Sequence, residues 1–101
     1  MAEYKLILIE SAIVEIEDAC INYNNQLVGL GYEFEEDIFT LLELINGNPL
    51  LFPIKFAHFR EATVKRFPFI IIYEIAEKEI IVTAIFHTKQ SPTKKIMRKH
   101  R

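Results

Sequence analysis

The chain has 101 residues, half of them hydrophobic, with 12 Lys and Arg against 14 Asp and Glu. That length supports one domain, residues 1–101, around a single core; one cysteine, Cys20, excludes an internal disulfide framework, and no Cys/His cluster points to zinc. No apolar run approaches a membrane span and the N-terminus turns polar too early for a secretory signal, so the expected compartment is the cytoplasm.

In chain order, residues 4–9 (YKLILI) form a short aromatic and β-branched run that predicts a strand. Ser11 then offers a helix N-cap, and Ile13, Ile16, Cys20 and Leu27 fall near helical multiples, predicting a helix over about 12–27. Glu15, Glu17 and Asp18 cover its other side, while Asn22, Asn24 and Asn25 weaken its last turns. Gly29-Leu30-Gly31 punctuates the chain, with glycine suited to a left-handed cap. A second helix over roughly 32–46 carries the stripe Phe34, Ile38, Leu41, Leu42 and Ile45 and ends at Asn46-Gly47-Asn48-Pro49. The short gap between the two predicts an antiparallel helical hairpin.

Residues 49–53 read as a loop and 57–66 as a charged edge strand. Pro68 cannot donate a ladder bond, so it belongs at the start of the next strand. Two apolar runs follow, 69–76 and 79–86, broken by Glu77-Lys78, which reads as a two-residue hairpin turn. Pairing Ala76 with Glu79 sets Ile75 opposite Ile80, Tyr73 opposite Val82, Ile71 opposite Ala84 and Phe69 opposite Phe86. That register predicts one face of Phe69, Ile71, Tyr73, Ile75, Ile80, Val82, Ala84 and Phe86 against the helices. The other face holds Ile70, Ile72, Glu74, Ile81, Thr83, Ile85 and His87, an exposed apolar patch that a partner would cover. The architecture expected is α+β, in the order β-α-α-β-β-β, with the helical hairpin on one face of a mostly antiparallel twisted sheet.

Charge divides along the chain. Residues 1–50 carry one Lys against ten Asp and Glu, whereas residues 51–101 carry eleven Lys and Arg against four Glu. The second half therefore reads as a surface for an anionic partner, and residues 94–101, with Lys94, Lys95, Arg98, Lys99 and Arg101, as a basic tail. The plainer reading is two solvated faces that happen to segregate.

Taken together, several residues carry a resemblance. They are Ala12, Gly29-Leu30-Gly31, Phe34, Asn48-Pro49, Arg60, Phe67-Pro68-Phe69, Ile71, Tyr73, His87 and Pro92. In that order and spacing the chain resembles the ParE branch of the RelE/ParE toxins, the plasmid-stabilisation proteins of bacteria, over nearly its whole length. The resemblance implies the toxin of a type II toxin–antitoxin pair, neutralised by a small antitoxin, with no cofactor and no metal. It leaves a homodimer or a toxin–antitoxin hetero-oligomer open. ParE-like members inhibit DNA gyrase; RelE-like members cut ribosome-bound mRNA; a degenerate member would only bind its antitoxin.

Residues separate these readings. RNA cleavage requires a base for the 2′-hydroxyl, cations for the phosphorane charge and an acid for the leaving oxygen. In the RelE-like nucleases a central Arg precedes the strand tyrosine, and aligning that tyrosine with Tyr73 puts Ile70 at the Arg position. His87 matches a strand-end histidine of some nuclease members and is the one candidate catalytic residue, although a locally bonded strand-end residue explains it as well. Non-catalytic target binding is therefore the reading the residues favour. The segment after His87, Lys89-Gln90-Ser91-Pro92, lacks the Arg and the aromatic usual in ParE members. The candidate target- or antitoxin-binding residues are Arg60, Lys65, Arg66, Ile70, Ile72, Glu74, Ile81, Ile85 and Lys89, where the basic side chains would flank the apolar patch. Tyr73 is expected in the core with its hydroxyl bonded, and Cys20 as a small core residue.

Overall fold

The computed structural model describes residues 3–89; Pro92 and the basic tail 94–101 lie outside them. Among the described residues the order is β1 (Lys5–Leu8), α1 (Glu10–Gln26), α2 (Leu30–Gly47), β2 (Ile54–Phe56), β3 (Phe59–Thr63), β4 (Phe69–Ala76) and β5 (Glu79–His87). The strands make one sheet in the order β1-β5-β4-β3-β2, with β1 parallel to β5 and every other pair antiparallel. This is the expected α+β layering with one added strand. The added strand, β2, lies between the expected loop and the expected strand and forms the edge on that side of the sheet, so the charged strand beside it (β3), expected at the edge, lies one place in.

The helical hairpin is tied at its connection. Gly29 takes a left-handed backbone (φ 91°) that an L side chain rarely adopts. Asn24 reaches across from α1, its Oδ1 accepting the backbone N–H of Gly29 at 3.2 Å and of Gly31 at 2.8 Å. It thereby satisfies donors that the start of α2 would otherwise leave open. Gly31 sits so close to α1 that a Cβ there would lie 2.2 Å from the Cys20 carbonyl oxygen. α2 buries Phe34, Ile38, Leu42 and Ile45, as its periodicity predicts.

In α1 the phase differs from expectation. The buried positions are Ala12, Ile16 and Ala19, while Ile13 is 41% and Leu27 64% exposed and Cys20 is half-buried. Small alanines let the helix lie close on the sheet, and that closeness decides which side faces in. Ser11 is inside the helix; Ile9 occupies the N-cap, without a side-chain bond. The main core lies between helices and sheet, where Phe34, Ile38, Ile45, Ile71, Tyr73, Ile80 and Val82 are fully enclosed. Burial of each such apolar side chain contributes roughly 1.5–3 kcal/mol. Tyr23, Phe34, Phe67 and Phe69 close one end of that core, with neighbouring ring centroids 4.9–5.3 Å apart.

The β4–β5 hairpin follows the expected register only as far as Val82. Ala76 pairs with Glu79, Ile75 with Ile80 and Tyr73 with Val82; then the register shifts, so that Ile72 meets Ala84, Ile71 meets Ile85 and Phe69 meets His87. Thr83 is the extra residue of a β-bulge, its hydroxyl donating to the Ile72 carbonyl at 3.2 Å. One inserted residue reverses every side chain beyond it. Ile85 therefore joins the helix-side core, whereas Ala84 and Phe86 turn to the far face. There they pack with Ile70, Ile72 and Phe59 as a second small core. The exposed patch expected on that face is absent: Ile70 is 9% and Ile72 0% exposed.

Candidate functional site

The bulge has a second effect, at the end of β5. His87 moves to the helix side and meets the Phe69 ring edge-on, with centroids 4.9 Å apart. Beside it lies a cleft of about 600 Å³ between α1 and the ends of β4 and β5. Its floor is apolar, formed by Ala19, Tyr23, Phe69 and Ile85; its α1 wall carries Glu15, Asp18, Asn22 and Gln26. Those four recur every three or four residues, so they form one polar stripe of the helix. The Glu15 Oε1 accepts the backbone N–H of Ile85 at 2.9 Å, tying α1 to β5 where β1 has already ended.

His87 is constrained in what it can do chemically. Its Nδ1 accepts the backbone N–H of Lys89 at 3.1 Å. A neutral ring so bonded carries its proton on Nε2 and presents no lone pair there. Acting as a base through Nε2 would require the other tautomer and the loss of that bond. The described residues lining the cleft include two carboxylates, Glu15 and Asp18.

Elsewhere the cations read as partner contacts are placed very differently from one another. Arg60 projects beside Tyr73, and its Nη1 donates to the Phe52 carbonyl at 2.6 Å. The Tyr73 hydroxyl donates to the Pro49 carbonyl, also at 2.6 Å, and burial pushes its pKa up to about 12, with the Arg60 charge acting against that shift. Together they fasten the loop after α2. Arg66 lays its guanidinium on Asp37 of α2, with Nη2 2.8 Å from Oδ1 and Nε 3.0 Å from Oδ2, and Glu33 and Glu36 stand alongside. Hydrogen bonding from Arg66 holds the Asp37 carboxyl below its usual range, and that from Asp37 raises Arg66.

Lys65 lines a second cleft, of about 620 Å³, with Asp37, Leu41, Leu44, Phe52 and Thr63. Lys89 is exposed and Ile81 half-buried. Glu74 pairs with His58, Oε1 to Nε2 at 2.9 Å. The structure thus brings Ile85 and His87 together in one cleft, puts Ile70 and Ile72 in the far-face core, and spends Arg60 and Arg66 on internal contacts. Glu15, Asp18 and Asn24 are the residues the sequence reading did not single out; the spacing of Glu15, Asp18 and Asn22 was the available signal for the acidic wall. Burial, followed by the charge of Glu35, raises the pKa of the Cys20 thiol, which disfavours the nucleophilic thiolate.

Over residues 14–92 the chain matches the profile of a family described as the ParE toxin of type II toxin-antitoxin system, parDE. No curated protein matches it. Among solved structures, a chain from the "Chromosomal ParDE TA system from P. aeruginosa" superposes with a TM-score of 0.77 at 17% sequence identity, covering 85% of this chain and 97% of that one. At that identity the likeness establishes a shared fold.

Proposed function

Because the chain belongs to the ParE toxin family of type II toxin–antitoxin systems, we propose that it acts in the cytoplasm by binding a protein target such as DNA gyrase, without cutting RNA, and that a small antitoxin neutralises it. The observation that carries the non-nucleolytic part is the His87 cleft. There the one candidate catalytic histidine has its Nδ1 lone pair engaged by the Lys89 N–H. Ile70, at the position where the nuclease branch carries its central Arg, is closed into an apolar cluster. A guanidinium there would be stranded among Ile72, Ala84 and Phe86. Arg60 and Arg66 serve the fold, so charge contacts with a partner fall to Lys65, Lys89 and the 94–101 tail.

The test is induction of the chain and of His87→Ala in a bacterium, with growth, gyrase supercoiling in extract, and mRNA 5′-ends followed together. Both proteins are expected to arrest growth without producing new RNA ends, and co-expression of the adjacent small gene is expected to restore growth. Site-specific mRNA cuts that vanish in His87→Ala would overturn the binding mechanism, and unimpaired growth at high soluble expression would overturn the toxin reading.

A further inference from the structure

The far half of β5 could pair with β4 in two ways. A straight ladder continued from Tyr73 and Val82 would set Thr83 opposite Ile72, Ala84 opposite Ile71, Ile85 opposite Ile70 and Phe86 opposite Phe69. The bulge instead sets Ala84 opposite Ile72, Ile85 opposite Ile71, Phe86 opposite Ile70 and His87 opposite Phe69. Hydrophobic patterning does not choose between them, because Ala84, Ile85 and Phe86 are all apolar and a buried apolar cluster lies on each face of the sheet. Pairing alone favours the straight ladder, since a bulge leaves one residue without a partner and disrupts the ladder around it.

A polar contact must offset that loss. The Thr83 hydroxyl on the Ile72 carbonyl, at 3.2 Å, is local to the bulge. The contact from outside the hairpin is that of Glu15, whose Oε1 accepts the Ile85 N–H at 2.9 Å. It depends on register: an N–H bonded to Glu15 points away from β4, and in the straight ladder the parity of Ile85 reverses, so the same N–H would turn towards β4. The bond is charge-assisted, and Ile85 is only 2% exposed, so water is a poor substitute for the carboxylate. On α1, Ala12 and Ala19 lie about one turn before and after Glu15, and both are buried. Their small side chains bring the helix near enough for a carboxylate to reach the strand.

We propose that Glu15 is the positioning residue that sets the register of β4 and β5 beyond Thr83, and so decides which face of the sheet receives Ile85 and His87. Its carboxylate selects the bulged ladder by taking the Ile85 N–H that this ladder turns towards α1. The inference stands apart from the toxin reading, since it concerns how the cleft is built and not what binds there.

The test follows cross-strand contacts by NMR in the full chain, in Glu15→Ala and in Glu15→Gln. Wild type should show Ile71 against Ile85 and Phe69 against His87. In Glu15→Ala the straight pairs, Ile71 with Ala84 and Phe69 with Phe86, are expected to gain. The ratio of straight to bulged register, read from these contacts and from exchange-saturation spectra, should rise about tenfold or more. Glu15→Gln keeps an oxygen acceptor and is expected to hold the wild-type pairs. A folded Glu15→Ala with the wild-type ratio would overturn the proposal, leaving Glu15 a contributor to stability alone. So would a Gln variant that shifts as far as the Ala variant. If Glu15→Ala does not fold, the substitution is repeated in a chain lacking Thr83, whose straight ladder already sets Ile85 opposite Ile71. Folding there with that pair in place supports the register role, and failure to fold there as well overturns it.

Discussion

Two connecting stretches, one between α2 and β2 and one between β3 and β4, are fastened by opposite chemistry. The loop after α2 is held by a neutral bond in a dry site: the fully enclosed Tyr73 hydroxyl donates to the Pro49 carbonyl at 2.6 Å. The stretch between β3 and β4 is held in the open, where Arg66, with its side chain half exposed, engages Asp37 and stands within reach of Glu33 and Glu36. The second fastening has more contacts and more charge, yet the first carries more energy. Water competes for every atom of the Arg66 cluster, whereas a buried carbonyl that loses its donor finds no replacement.

That ranking can be broken by experiment. The largest effect is expected from Tyr73→Phe, which removes one oxygen and strands the Pro49 carbonyl, at a cost of about 1–3 kcal/mol in chemical denaturation. The same tyrosine links stability to alkaline pH. Its folded pKa, about 12, lies above the usual value near 10, so the unfolded chain ionises first. Stability from this group is complete below about pH 10 and is lost as pH rises through the folded pKa. Wild type should accordingly lose stability more steeply than Tyr73→Phe between about pH 10 and 12. Flat, parallel profiles for the two proteins would refute it.

A smaller loss is expected from Arg66→Met, and added salt should shrink it, whereas the Tyr73→Phe deficit should be indifferent to salt. A salt-insensitive Arg66 deficit as large as that of Tyr73 would invert the comparison. The smallest expected effect lies in acid. Asp37 is depressed by Arg66, so its contribution is present above the unfolded carboxylate pKa, near 4, and disappears as pH falls through the lower folded value. Differential scanning calorimetry from about pH 5 downwards should therefore show wild type and Arg66→Met converging.

Neither fastening is visible from local sequence. Arg66 and Asp37 are 29 residues apart and Tyr73 and Pro49 are 24 apart, so nothing in either neighbourhood marks the pair. α2 was legible because its apolar stripe has no competitor. α1 was not, because Ile13 and Leu27 outrank Ala12 and Ala19 in hydrophobicity, while close packing on the sheet selects the smaller side chains. The hairpin register could be read from the turn to Val82, where apolar and polar residues still alternate. Past Thr83, Ala84, Ile85 and Phe86 are apolar at both parities, so a one-residue shift leaves no trace in the pattern. That shift hid the candidate site, because it moves Ile85 and His87 from the far face into the α1 cleft. β2 was missed for a plainer reason: three residues after a proline are too few to show a period.

The parallel pairing of β1 with β5 has a consequence for the protein while it is being made. Lys5 must wait for Glu79 before it can enter the sheet, and translation adds about 5–20 residues per second. For several seconds at least, the first strand of each nascent chain has no neighbour, while the helical hairpin next to it can already form from local contacts. The His87 cleft needs α1 and the ends of β4 and β5 together, so it cannot assemble before β5 has been made. A growing chain therefore cannot present that surface until β5 has left the ribosome, and any partner that recognises the cleft meets only finished sheets.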